Sequence, residues 1–277
     1  MKKTIITLII GFIALNVQAQ IDRSKMPQPG PAPEINLQEP QRFELKNGLK
    51  VLVVENHKLP RVSVQLRIDN PPILEGGKAG VSSLTASLLG NGSKSIPKDD
   101  YNEEVDFLGA RINFGSQSAF ASSLSKYFPR ILELMADAAI NPNFTEEEFE
   151  KEKQKLLTSL KAQEKDVSAI SNRVQNALAY GTGHPYGEFL TEESVNNVAL
   201  IDVVQFYEDY FVPANAYLVV IGDVKFDEVE ELVTTNFTPW TKAVPPSYEF
   251  SKPSNAQYTQ INFVDVPNAV QSEVAVE

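Results

Sequence analysis

A chain of 277 residues, 42% hydrophobic and 22% charged, has an ordinary globular composition and can bury a core without metal or disulfide. It contains no cysteine, which excludes disulfides, thiolate metal sites and cysteine nucleophiles. A formal charge of −11, from 36 acidic and 25 basic residues, argues against a nucleic-acid partner, whose phosphates are neutralised by Lys and Arg.

The chain opens with Lys2 and Lys3, an apolar stretch Thr4 to Val17, and then Val17-Gln18-Ala19. This pattern predicts a cleavable signal peptide over 1–19 and a periplasmic or secreted protein. The apolar run is too short for stable membrane insertion. Residues 20–40 carry Pro27, Pro29, Pro31 and Pro33 and read as a proline-rich linker or wrapping arm.

Order is expected from Gln41. Arg42 to Leu45 alternates, Asn47-Gly48 is a hairpin signal, and Leu49 to Val54 continues as a strand. Val62 to Ile68 alternates apolar and polar residues, predicting a strand with one buried face. A Pro/Gly-rich loop, Asn70 to Gly80, leads into a short buried helix over Val81 to Leu89. Pro97-Lys98-Asp99-Asp100 starts another helix, with Val105, Phe107 and Leu108 on its apolar side. Ala110 to Leu124 reads as a β-hairpin. Phe128 to Ile140 is amphipathic and is ended by Asn141-Pro142.

Thr145 and Glu148 have the spacing of a capping box ahead of a long charged helix running to about Glu164. A further helix is predicted through Tyr180, then a loop, Gly181 to Gly187. Helices follow at Glu192 to Val198 and Leu200 to Phe211, a strand at Ala216 to Ile221, and a helix capped by Asp227 and ending near Phe237. Pro239, Pro245, Pro246 and Pro253 mark an interdomain linker, placed at 241–256. Gln257 to Val264 alternates as a new strand, so 257–277 reads as the start of a second, truncated domain. The fold class expected is α+β, a two-layer domain with a mostly antiparallel sheet packed against helices over 41–240.

Five stretches taken in order resemble the insulinase/pitrilysin family of zinc metallopeptidases, whose motif is an inverted H-x-x-E-H. They are Asn47 to Val51 with Glu55-Asn56-His57; Asn141 to Phe144 with the helix from Phe149; Gly183-His184-Pro185-Tyr186-Gly187; Pro213-Ala214-Asn215; and Val219 to Val224. The resemblance covers about Arg42 to Trp240, making 41–240 an insulinase-like N-terminal domain and the later segment the start of a related one.

The family's zinc helix matches Gly80 to Ser87, and the correspondence finds no zinc chemistry there. Ser83 and Ser87 stand at the two histidine positions, Ala86 replaces the glutamate that would activate water, and Ser159 stands at the third ligand position. Neutral hydroxyls are poor zinc donors and a methyl group moves no proton. No cofactor is therefore expected. The chain's two histidines, His57 and His184, read as exposed or structural, and no orienting base accompanies the serines to make a nucleophile.

The resemblance implies a partner, a zinc-bearing insulinase-like subunit, and a shared ligand, an unfolded peptide. In such relatives the peptide adds as a strand to a sheet edge, which here corresponds to Asn113, Phe114, Gly115 and Ser116. The expected function is a non-catalytic, peptide-binding and assembly subunit of an exported peptidase. A divergent active zinc peptidase and a stand-alone peptide-binding scaffold remain open as alternatives.

Overall fold

Strict alternation in Arg61–Ile68, with Val62, Val64, Leu66 and Ile68 buried and the residues between them more exposed, makes this strand one face of a sheet. The computed structural model describes Gly30 and residues 39–250, 252–253 and 257–276. All but Gly30 belong to the unit Glu39–Glu277. The predicted signal peptide, and the arm apart from Gly30 and its last two residues, lie outside the described residues.

Six strands form the sheet: β1 (Gln41–Glu44), β2 (Lys50–Glu55), β3 (Arg61–Ile68), β4 (Arg111–Gly115), β5 (Ser118–Leu124) and β6 (Ala216–Gly222). Their spatial order is β1-β2-β6-β3-β5-β4. Every pair is antiparallel except β2 with β6. β6 returns from far along the chain to separate β2 from β3, leaving β1 and β4 at the two edges.

The helices are α1 (Val81–Leu88), α2 (Lys98–Phe107), α3 (Phe128–Ile140), α4 (Glu146–Gln163), α5 (Val167–Tyr180), α6 (Glu192–Asn196), α7 (Leu200–Tyr210) and α8 (Phe226–Phe237). The fold is a two-layer α+β arrangement. Its main core joins one sheet face (Val51, Val53, Val64, Leu66, Leu218, Val220) to α3 and α8 through Ile131, Met135, Val233 and Phe237. A second cluster, with Leu84, Leu88, Phe149, Val203 and Phe206 at its centre, clamps α1 between α4 and α7. Removing that much apolar surface from water is the principal favourable term in both clusters. Among the described residues no helix is long and apolar enough to cross a membrane.

Four local expectations differ. Phe107 is 84% exposed, because the buried side of α2 follows the helical spacing Tyr101, Val105 and Leu108. Thr145 Oγ1 accepts the Glu148 N–H at 3.3 Å, but the Glu148 carboxylate pairs with Lys98 and Lys151, so only half of the capping box forms. Lys225 is the N-cap of α8 and Asp227 lies within its first turn, where a carboxylate favours the positive helix end. Gln257 to Val264 forms no strand: Tyr258, Ile261 and Phe263 are 81–95% exposed, and no described strand pairs with the segment. Alternation supplies a face, but a strand needs a neighbour for its ladder hydrogen bonds.

Candidate functional site

Glycine starts the helix that matters most. Gly80, the N-cap of α1, has φ +114°, and a Cβ there would stand 3.0 Å from Val195 Cγ2. Glu75 Oε2 accepts the N–H groups of Gly80 at 2.7 Å and Ser82 at 3.4 Å, satisfying two of the orphan donors at the helix start. Glu188 in turn accepts the N–H groups of Glu75 and Gly76. Burial pushes the Glu188 carboxyl above the usual range; the two N–H groups oppose this and the Glu75 charge adds to it. Two carboxylates thus tie the 181–190 loop to the turn before α1.

That loop closes tightly. A Cβ at Gly187 would lie 2.1 Å from the Gly181 carbonyl oxygen, so only glycine fits. His184 stacks on Tyr180 at 5.2 Å between ring centroids and meets Tyr186 at 5.3 Å and Phe250 at 5.5 Å. Its Nδ1 accepts the Tyr186 N–H at 3.2 Å. The histidine is a packing residue.

Between this loop, α1 and the sheet lies an open groove of about 600 Å³. One wall is the end of β3 with Arg67, Asp69 and the following Asn70-Pro71-Pro72. Another is α1 with Ser82, Ser83 and Ala86. The β4–β5 turn, Gly115 to Ser118, and Tyr186 complete it. The structure therefore brings Ser83 and Ala86 together with Gly115 and Ser116. Ser87 and Ser159 are exposed and outside the lining.

Two of the three hydroxyls expected at ligand positions, those of Ser87 and Ser159, are engaged within their own helices. Ser87 Oγ donates to the Ser83 carbonyl at 3.1 Å, and Ser159 Oγ accepts from Gln163 Nε2 at 3.3 Å. Neighbouring Thr158 donates to the Gln154 carbonyl at 2.8 Å. These are intrahelical bonds of short polar side chains. Among the described residues no group of three His, Asp or Glu side chains is placed to hold a metal. A donor set of neutral hydroxyls and one methyl does not fit zinc, which takes imidazole, thiolate or carboxylate.

Neither histidine lines the groove. His57 Nδ1 lies 2.7 Å from Asp223 Oδ1 and Nε2 lies 3.4 Å from Glu55 Oε2. Ser125 Oγ donates to Asp223 at 3.0 Å, not to His57, so no activated serine results. A smaller hollow of about 300 Å³ between α3 and α8 contains Asp137, whose carboxylate is satisfied by Ser93, Ser95 and Asn141.

The strand edge is where chemistry remains available. Among the described strands, β4 pairs with β5 alone. The two-residue turn Ser116-Gln117 closes on the Gly115–Ser118 pair, so Asn113 and Gly115 exchange hydrogen bonds with β5. The backbone N–H and C=O groups of Ile112 and Phe114 point the other way, and no other described element bonds them. Ser116 lies in the turn, outside the strand. Sequence reading missed Ile112, whose outward backbone depends on register, and Arg67, Asp69 and Tyr186, which the fold carries to the groove from separate segments.

The fold is similar to that of the peptidase M16 inactive domain from Pseudomonas fluorescens. That structure matches with a TM-score of 0.69 and 22% identity over 78% of this chain and 54% of the other. The first half of the periplasmic protease PqqL from Escherichia coli matches with a TM-score of 0.65 and 16% identity, covering 79% of this chain and 50% of that one. Residues 50–185 match the insulinase family, peptidase family M16, and residues 197–276 match the peptidase M16 inactive domain. The chain belongs to the insulinase family.

Similar curated proteins include the mitochondrial-processing peptidase subunit beta of Rattus norvegicus, 26% identical over 78% of this chain and 45% of the relative. The non-peptidase homolog YmxG of Helicobacter pylori is 23% identical over 90% of this chain and 55% of its own length. The chain thus spans about half the length of the curated relatives it matches.

Proposed function

We propose that this chain is the non-catalytic, peptide-binding and assembly part of an exported insulinase-like peptidase, working with a zinc-bearing homologue. One observation carries the reading. The helix wall of the groove carries Ser83 and Ala86, two of the four positions where the resemblance expects zinc ligands or a base, while the strand beside it keeps an unpaired edge among the described residues. An extended peptide would add to that edge through the backbone of Ile112 and Phe114, with Tyr186 and the Asn70-Pro71-Pro72 wall bounding the cleft.

Pairing is supported by similar proteins, one a subunit of a processing peptidase and another the first half of a periplasmic protease. The name of the Helicobacter pylori relative, a non-peptidase homolog, supports the absence of catalysis. Export is supported by the charged, apolar and small-residue order of 1–19 and by the periplasmic location of PqqL.

The test is to purify the chain and a zinc-motif homologue from the same host, then assay cleavage of an unstructured peptide separately and mixed. Inactivity of this chain alone and increased cleavage in the mixture support the proposal. Cleavage by this chain alone, with stoichiometric zinc retained through gel filtration, overturns it in favour of a divergent peptidase. Peptide binding without any effect on the homologue favours the scaffold alternative.

A further inference from the structure

Among the described residues, the helices cover one side of the sheet. All the strand residues in the main core, and the partly buried Phe43, Ile112 and Phe114 packed on it, belong to that side. The strand registers set out what lies on the other. One cross-strand row reads Glu44, Lys50, Tyr217, Arg67, Ser118 and Gly115. The next reads Arg42, Leu52, Val219, Gln65, Phe120 and Asn113. Val54, Ile221, Ser63, Ser122 and Arg111 form a third. Arg61 beside Leu124 lies beyond them.

This layout has a pattern. Leu52, Val54, Val219 and Ile221 form an apolar centre, with Phe120 next to it. Cations stand around the margin: Arg42 on one edge strand, Arg111 on the other, Lys50 and Arg67 at one end and Arg61 at the opposite end. All five are exposed, and Glu44 is the only carboxylate in these rows. None of the five makes an ion pair among the described residues, whereas Lys78, Lys98, Arg130 and Lys151 on the helical layer all do. Lys50 Nζ rests 5.1 Å from the Tyr217 ring centroid, and the residue is exposed. In a chain of formal charge −11, cation excess on one face leaves the acidic excess elsewhere.

We propose that this face recognises acidic segments of an extended polypeptide, with apolar side chains on the centre and carboxylates against the rim. The inference rests on the peptide-binding reading and names its ligand class. Continuity supports it, because Arg67, Gly115 and Ser118 belong both to this face and to the groove lining. A chain held at the β4 edge therefore passes directly onto the cationic surface. Six strands span about 24 Å from edge to edge, the length of roughly seven extended residues. Charge complementarity of this kind acts on association and selectivity, and unpaired exposed cations need no existing partner to be broken.

The experiment measures fluorescence anisotropy of the full chain with two labelled peptides of about twelve residues. One alternates Glu with Val; the other has Lys in place of Glu. Arg61→Glu with Arg111→Glu reverses two rim charges outside the groove lining. Lys94→Glu with Lys225→Glu makes the same change in net charge at exposed sites away from the sheet face. The expected result is preference for the acidic probe, weakened about tenfold by the rim reversal and less than about twofold by the control.

Equal losses in both double variants, or equal binding of the two probes, overturn the inference. If binding without charge preference is still abolished by Ile112→Pro, the groove reading survives alone. No binding of either probe overturns both. Two further outcomes also reject a peptide ligand: co-sedimentation with anionic vesicles but no peptide affinity, and self-association abolished by the rim reversal.

Discussion

Replacing Ile112 by proline acts at the one strand edge where the groove and the backbone chemistry meet. Ile112 and Phe114 present two N–H and two C=O groups away from β5. At about 0.5–1.5 kcal/mol net for each bond, a peptide strand using all four gains roughly 2–6 kcal/mol before ordering costs. Proline at position 112 removes one donor and sets its ring against the incoming backbone, a loss of at least about 1.4 kcal/mol, or tenfold in Kd. Because that N–H has no partner within the sheet, the substitution breaks no native ladder bond, and edge strands tolerate proline. Anisotropy with an unstructured labelled peptide measures affinity, while circular dichroism and thermal melting establish that the variant is folded. Ile112→Val controls for the side chain, which packs on the core. A folded Ile112→Pro protein with unchanged affinity refutes strand addition at β4.

Other consequences concern the support of the groove and one pH-sensitive contact. Phe149, 1% exposed in the cluster that clamps α1, should cost about 3–5 kcal/mol when changed to Ala, measured by urea unfolding; a loss below about 1 kcal/mol contradicts the packing described. Gly80→Ala forces a Cβ into the left-handed conformation and against Val195, and a stability loss of about 1–3 kcal/mol is expected. An unchanged denaturation midpoint argues against this helix start. Hydrogen bonds to Asp223 and then Glu55 raise His57 above its ordinary 6.5, so the folded state binds that proton more tightly than the unfolded chain. This contribution is complete below pH 6.5 and is lost as pH rises through the folded value. His57→Gln should flatten that part of the melting-temperature profile between about pH 6 and 8, and a profile with the wild-type slope speaks against the contact.

Much of the secondary structure was legible in the amino-acid sequence because it is local. Alternation in Val62 to Ile68 reports a two-sided strand wherever that strand goes. Ser83, Ala86 and Ser87 fall within one predicted helix, and that helix forms over Val81–Leu88 with Gly80 as its N-cap. The single-residue errors were of the same local kind: Phe107 missed the buried stripe by a fraction of a turn, and Glu148 chose lysine partners over its cap.

Register and sheet order belonged to the tertiary structure. Nothing local says that β6 enters between β2 and β3, yet that insertion leaves β4 on an edge and completes the rows of the open face. The alternation of Gln257 to Val264 likewise did not determine a strand, because pairing depends on a neighbour rather than on pattern. The amino-acid sequence by itself determined which faces would be apolar and that Ser83, Ala86 and Ser87 lie within one helical stretch. Only the tertiary structure decided that Ser83 and Ala86 would share a groove with the end of β4 while Ser87 stays outside it, since distant segments must meet before a groove forms between them.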